Sequence, residues 1–152
     1  MIRNVNRVDH IAGVVRRENF SAVIERMSHV FETTFDGPFD RAAMGALMAT
    51  SLDAGIELLA PRDDDPENPF NKMLTSRGEH WISVVMGVRD IDASCAQLAR
   101  LGYKPVAVKK DLAGKGDYPA RLTRLEQALF GPGVFGGLGV SICYSEEAGG
   151  AA

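Results

Sequence analysis

Two largely apolar stretches of the sequence carry titratable side chains that could do chemistry. His10 lies in VDHIAGVV, and Glu57 lies in GIELLAP. A lone histidine on an apolar strand is most often a hydrogen-bonded core residue. A carboxylate is rarely buried alone because its desolvation is costly, so Glu57 should face a wet pocket, pair with His10 or an arginine, or sit at a strand edge. A histidine paired with a carboxylate can transfer protons near neutral pH.

The segments that carry these two residues are predicted to be strands of one structural unit. Residues 8–15 are apolar and β-branched, and residues 55–59 are apolar and bounded by glycine and proline. Between them, apolar side chains recur at helical spacing over residues 20–31, with Asn19 as the predicted cap. The chain therefore begins with a strand, a charged turn and an amphipathic helix.

The same order of elements occurs again in the second half of the chain. Residues 81–88 form a predicted strand, Asp90 caps an amphipathic helix, and Gly102 ends it. The two strands align when His10 is laid on Ser83. This internal repeat predicts two modules of the same architecture.

Further strands complete each predicted module. Residues 42–51 fit a strand or a helix by periodicity, and the tight connection at residues 53–55 favours a strand in a hairpin. A shorter strand is expected around residues 33–39, beside a turn signal at residues 36–38. The remaining segments are a linker helix between Pro69 and Gly78, strands at 103–108, 121–130 and 140–144, a polar loop at 109–119 and a glycine-rich turn at 131–139.

Composition narrows the class of protein. A chain of 152 residues with 45% hydrophobic residues can bury a core, and its net charge of −3 leaves no basic footprint, so we expect no nucleic-acid partner. No apolar run reaches the ~20 residues of a membrane span or resembles a signal peptide. We therefore expect a cytoplasmic protein without a membrane partner, in which Cys95 and Cys143 are reduced thiols.

Four short stretches of the sequence resemble the vicinal oxygen chelate superfamily, which includes glyoxalase I, methylmalonyl-CoA epimerase, extradiol dioxygenases, and the fosfomycin and bleomycin resistance proteins. They are VDHI at residues 8–11, IELLAP at 56–61, VRDID at 88–92 and FGGLGV at 135–140. The linker at residues 68–78, followed by Glu79 and His80, looks most like the epimerase branch.

The resemblance implies an α+β fold of two βαβββ modules that form curled mixed sheets around a shared pocket. The whole chain, residues 1–152, would be a single vicinal oxygen chelate domain. Its parts would be module one at residues 8–61, a linker at 62–78, module two at 79–144 and a tail at 145–152.

In the metal-using members of the superfamily, the first and last strands of each module supply ligands to a divalent ion. By resemblance, these positions fall on His10, Glu57, Ser83 and Cys143. Imidazole and carboxylate suit Zn, Mn, Fe, Co or Ni, whereas serine is a poor ligand and a cysteine also packs as a small hydrophobe. The resemblance thus implies an incomplete metal site held by His10 and Glu57. His80 should point away from Ser83 unless a bulge re-aims it.

Other residues are candidates to line the implied pocket. Trp81 shares a face with Ser83 by strand alternation, and Met48 could form a soft wall together with Met44. The segment Gly114-Lys115-Gly116 could cradle an anion, although its spacing fits a mobile polar loop better than a phosphate loop.

Two functions from different classes fit these features. The resemblance implies a lyase or isomerase that acts next to a carbonyl or carboxyl of a small polar or thioester substrate, with His10 and Glu57 as catalytic residues. The alternative is a metal-free protein that binds or sequesters a small molecule, as the bleomycin resistance proteins do. Because open curled sheets leave edges, and superfamily members usually dimerise, we also expect a homodimer.

Overall fold

The computed structural model describes residues 1–113, 116 and 118–149. The strands are β1 (Val8–Val14), β2 (Asp36–Arg41), β3 (Ala46–Ser51), β4 (Ile56–Pro61), β5 (His80–Gly87), β6 (Ala107–Lys109), β7 (Leu122–Leu129) and β8 (Val140–Glu147). The helices are α1 (Phe20–Val30), α2 (Pro69–Arg77) and α3 (Ile91–Arg100). The order β1-α1-β2-β3-β4, then α2, then β5-α3-β6-β7-β8 confirms the predicted α+β class with two βαβββ modules.

The chain divides into two compact units whose boundaries fall inside β1 and β5. The first-half unit is His10–Ile82, and the second-half unit joins Met1–Asp9 to Ser83–Ala152. In the first-half unit, β2 pairs with β3 and β3 with β4 in antiparallel fashion, while β4 pairs with β1 in parallel. In the second-half unit, β8 lies parallel to β5 and antiparallel to β7, which pairs with β6.

Alternation along the strands separates two faces in the first-half unit. Ile56, Leu58 and Ala60 point to the face covered by α1, where they pack with Phe20 and its neighbours in one apolar cluster. Glu57 alternates with these residues and therefore points to the other face. The periodicity of β4 thus buries one face against a helix and leaves its single carboxylate on the opposite face.

In the second-half unit, α3 packs through one deeply buried anchor. Ile91 is 1% exposed and contacts Ala128, Ile142 and Tyr144. The helix begins as predicted, because the Asp90 carboxylate accepts a hydrogen bond of 2.9 Å from the Ala93 backbone N–H.

Two predicted segments of the first-half unit differ from the structure. The strand expected over residues 42–51 starts only at Ala46, after a 3₁₀ turn at Ala42–Met44 that ends with Gly45 in the left-handed conformation, at φ 69°. Met44 therefore shares no strand with Met48. The turn signal at residues 36–38 lies inside β2, at the point where pairing with β3 shifts register between Asp36 and Phe39. A bulge accommodates these residues without ending the strand.

Differences also occur in the second-half unit and at the start of α1. The strand expected over residues 103–108 is shorter and later, at Ala107–Lys109. The last strand extends to Glu147, beyond the predicted end at Tyr144, because β7 and the first residues of the chain both pair with it. The side chain of Asn19 does not cap α1 and instead donates a hydrogen bond to Glu79.

Candidate functional site

His10 and Glu57 come together on adjacent parallel strands of the first-half unit. Ala12 of β1 is the register partner of Glu57 on β4, and alternation places His10 on the same face as Ala12. His10 Nε2 lies 4.0 Å from Glu57 Oε2, and the two side chains are only 14% and 15% exposed. The two residues singled out by sequence chemistry are therefore neighbours in a poorly hydrated place.

The face around this pair is otherwise largely buried. Thr50 is the register partner of Glu57, and Met48 is the partner of Leu59, so both side chains point to the face of Glu57. Met48 is 1% exposed. The Thr50 hydroxyl donates to the Ile56 carbonyl oxygen at 3.2 Å. Charges act over short distances most strongly where water is excluded, so this setting favours interaction between His10 and Glu57.

Ser83 and Cys143 lie on neighbouring parallel strands of the second-half unit. Gly87 and Cys143 are register partners, as are Val85 and Ser141. Alternation then places Ser83 and Cys143 on one face of β5 and β8. The Ser83 hydroxyl lies 3.3 Å from the Ser141 hydroxyl, and Cys143 is fully buried.

A further buried carboxylate, Asp9, was not singled out from the sequence. It is 5% exposed, and its Oδ2 accepts hydrogen bonds of 3.2 Å from the Asn4 amide and from the Ser145 hydroxyl. A carboxylate oxygen of Asp9 also lies within 4.8 Å of Cys143 Sγ. The signal in the sequence was a charged residue within an apolar strand, the same signal that pointed to Glu57.

The structure places Trp81 away from the face of His10 and Glu57. A side chain at Gly13 would meet the Trp81 ring at 2.9 Å, and Gly13 is the register partner of Leu58, on the face covered by α1. Trp81 therefore lines a cavity on the α1 side of β1. His80 also has a local partner, because its Nδ1 lies 2.7 Å from the Gly78 carbonyl oxygen. Of the anion-cradle residues, Gly114 and Lys115 fall outside the described residues.

The donor set of the first-half unit fits half of a divalent-metal site. An imidazole and a carboxylate, with their nearest atoms 4.0 Å apart, are ligands of the kind that Zn, Mn, Fe, Co and Ni accept. The matching strands of the second-half unit offer a hydroxyl and a buried thiol at Ser83 and Cys143. Metal sites with only two good protein ligands hold an ion weakly.

Known proteins resemble this chain in three-dimensional structure, and matches by sequence are absent. No protein-family model matches the sequence. No curated protein matches it either. Among the described residues, no helix is long and apolar enough to cross a membrane.

Several solved structures share the fold. Methylmalonyl-CoA epimerase from Mycobacterium tuberculosis is 21% identical, with a TM-score of 0.71 over 96% of this chain and 91% of that chain. A variant of the Streptomyces coelicolor epimerase in complex with 2-nitronate-propionyl-CoA is 18% identical, with a TM-score of 0.71 over 91% and 96% of the two chains. A methylmalonyl-CoA epimerase with bound methylmalonyl-CoA and NH4⁺ is 18% identical and has the same TM-score over 91% and 94%.

These neighbours have the vicinal oxygen chelate fold, so this chain has that fold too, as its short motifs predicted. At identities of 18–21%, the likeness shows the fold of the chain, and its chemistry depends on its own residues.

Proposed function

We propose that the protein is an isomerase that transfers a proton at the carbon next to a thioester carbonyl. The geometry of His10 and Glu57 carries the proposal, because it puts a potential base and a potential acid 4.0 Å apart with little exposure to water. The epimerases that share the fold, several of which were solved with CoA thioesters, support this reaction type and substrate class.

The proposed reaction begins with removal of the proton on the carbon beside the carbonyl. The Glu57 carboxylate accepts this proton, and the electron pair of the broken C–H bond moves onto the carbonyl oxygen to give an enolate. His10, when protonated, neutralises charge beside the pair and can return a proton to carbon. When the proton reaches the opposite face of the planar enolate, the stereocentre is inverted. Glu57 then passes its proton to His10 or to water, which restores both groups, and no oxidant or reductant is consumed. Positioned acids and bases contribute about 10²- to 10⁴-fold in rate.

A divalent ion is consistent with the ligand types but is not required by the proposal. His10 and Glu57 are the residues that would hold it, and an ion bound there would polarise the carbonyl oxygen as a Lewis acid. That Ser83 and Cys143 of the second module line the substrate pocket stays a prediction.

Exchange of the substrate proton with solvent tests the proposed reaction. We expect the protein to catalyse hydrogen–deuterium exchange at the carbon beside the thioester carbonyl of methylmalonyl-CoA in D2O, followed by NMR. Glu57→Gln keeps the shape and removes the base, so exchange should fall by about 10²- to 10⁴-fold while the melting temperature is retained. His10→Ala should also slow exchange.

Asp64→Asn is the matched control, because it removes a carboxylate from an exposed position of the linker. Exchange at the wild-type rate in Glu57→Gln would contradict the proposal. So would a protein that binds the thioester tightly without any exchange, which is the behaviour of a sequestering protein. If Glu57→Gln unfolds the chain while ligand binding per folded molecule is unchanged, Glu57 is a structural residue.

Metal content can be predicted from the ligand set. With two of four positions suited to a divalent ion, we expect the protein purified and dialysed without chelator to retain clearly less than one equivalent of Zn, Mn, Fe, Co or Ni. Plasma mass spectrometry of wild type and of His10→Ala measures it. One tightly held equivalent that disappears in His10→Ala would show that the second module completes the site after all.

A further inference from the structure

Two cavities of the first-half unit lie apart from His10 and Glu57 and share His80 as a lining residue. The first has a volume of about 500 Å³ and is lined by residues of α2, including Lys72 and Arg77. The second has a volume of about 290 Å³ and is lined by Trp81, by the Glu79 side chain and by apolar residues of β1, β4 and α1. Small-molecule sites usually measure about 300–1,000 Å³, so the two together are large enough for a ligand.

The first cavity has an excess of positive charge. Arg77 forms no ion pair with any residue that the structure describes. Lys72 Nζ lies 2.7 Å from Glu67 Oε2, but both side chains are more than half exposed, and such surface pairs contribute only about 0–1 kcal/mol. The C-terminal end of α2 disfavours an anion by a similar small amount, and so does the Glu79 carboxylate in the second cavity, so a phosphate fits on the Lys72 and Arg77 side of His80. The chemistry of this cavity suits a phosphate group.

The second cavity offers an aromatic surface. Trp81, the only tryptophan of the chain, is 53% exposed, which is high for so large an apolar side chain. Its ring lies over Gly13, where a side chain would approach it at 2.9 Å, so the glycine leaves room for the ring. An exposed, supported indole is a stacking platform for a flat base, and such stacking is worth about 1–3 kcal/mol.

His80 lines both cavities and so lies between the cationic cavity and the aromatic cavity. Its Nδ1 lies 2.7 Å from the Gly78 carbonyl oxygen, which can only accept, so Nδ1 carries a hydrogen. In the neutral ring, Nε2 is then left as an acceptor. An amino group on the edge of a base is a donor of the matching kind.

We propose that the two cavities together form a groove that binds a phosphorylated adenine nucleotide, with the base stacked on Trp81 and a phosphate held by Lys72 and Arg77. A free nucleotide and the nucleotide end of a CoA thioester share this chemistry. Only the second source rests on the proposed function, and the site is defined without it.

Titration with nucleotides tests the site directly, because fluorescence of the sole tryptophan reports on Trp81. The probes are AMP, adenosine 3′,5′-bisphosphate, CoA, adenosine and inorganic phosphate. We expect the phosphorylated nucleotides to quench the fluorescence saturably and to bind at least tenfold more tightly than adenosine or phosphate alone. Preference for AMP indicates a free nucleotide, and preference for the bisphosphate and CoA indicates the end of a thioester.

Variants identify the residues responsible. Lys72→Ala/Arg77→Ala should weaken nucleotide binding at least tenfold, and Trp81→Leu, measured by calorimetry, should weaken it about five- to 100-fold. Arg100→Ala, which removes a cation from the end of α3, is the control and should bind as wild type does. The proposal is overturned if no nucleotide binds, if the control loses as much affinity as the double variant, or if phosphate alone binds as well as AMP. None of these results depends on proton exchange at His10 and Glu57.

Discussion

The carboxylate of Glu79, the residue that follows the linker, is bonded to the segment just before α1. Its Oε1 accepts a hydrogen bond of 2.8 Å from the Asn19 side chain and another of 2.9 Å from the Arg16 backbone N–H. These bonds, the one from Asn19 first, hold the pKa of the Glu79 carboxyl below its usual value. Residues 16–19 therefore depend on a charge 60 or more positions away in the chain.

The lowered pKa predicts how stability should change with pH. The ionised form is favoured by folding, so its contribution is present above the unfolded pKa of about 4.3 and is lost as the pH falls through the lower folded value. We expect the urea midpoint of wild type to fall more steeply than that of Glu79→Gln as the pH drops from about 5 to 3. Glu25→Gln, an exposed change on α1, is the control. Parallel curves for wild type and Glu79→Gln would contradict this account.

The sequence predicted some site residues better than others for identifiable reasons. His10 and Glu57 could be found because each is a polar residue in an apolar strand, and the structure brings them together. Trp81 was expected in the pocket because it shares a strand face with Ser83 by alternation, and it lies over Gly13, on the face of β1 opposite to His10. Alternation counted within one strand does not tell which neighbouring strand a long side chain at its end will cover. The buried position of Asp9 could not be inferred from local sequence, because its hydrogen-bond partner Ser145 lies 136 positions away.

At the scale of elements, α3 depends on one anchor at its first turn. Ile91 is 1% exposed against β7 and β8, so Ile91→Ala should leave a cavity and lower the free energy of unfolding by about 2–5 kcal/mol. Chemical denaturation of both proteins measures the difference. Leu101→Ala is the control, because Leu101 is 71% exposed at the end of the same helix and its truncation should cost less than about 0.5 kcal/mol. Similar losses for both variants would show that α3 is not anchored by burial.

Element order followed from the sequence, whereas several boundaries did not. Periodicity identified α1, α3 and the long strands because one face of each is buried in a core. It failed at residues 42–45, where an apolar composition hides a turn that depends on the left-handed Gly45. It also failed for β6, which is only three residues long and is defined by its pairing with β7. Backbone conformation and distant pairing are weakly encoded in local hydrophobicity.

For the whole molecule, the oligomeric state remains a prediction. β2 pairs only with β3, and β6 only with β7, within their units, so each leaves a free strand edge in the described part of the chain. Free edges are a common route to association. We expect sedimentation at micromolar concentration to show a homodimer, about twice the mass of the 16.4 kDa chain. A single species at the monomer mass would contradict the prediction.

The second-half unit includes Met1–Asp9, which lie far from the rest of that unit in sequence. The Met1 ammonium donates to the Glu147 carbonyl oxygen, 146 positions away, and the Asn6 backbone N–H donates to the Gly87 carbonyl oxygen at 2.8 Å. During synthesis, residues 1–9 are made well before β8, the strand that Met1 joins. This unit therefore cannot complete its pairing until β8 has been made. Closing so long a span carries an entropic cost that slows folding. Residues 1–9 are made before β8 and must wait for it before they can pair with it.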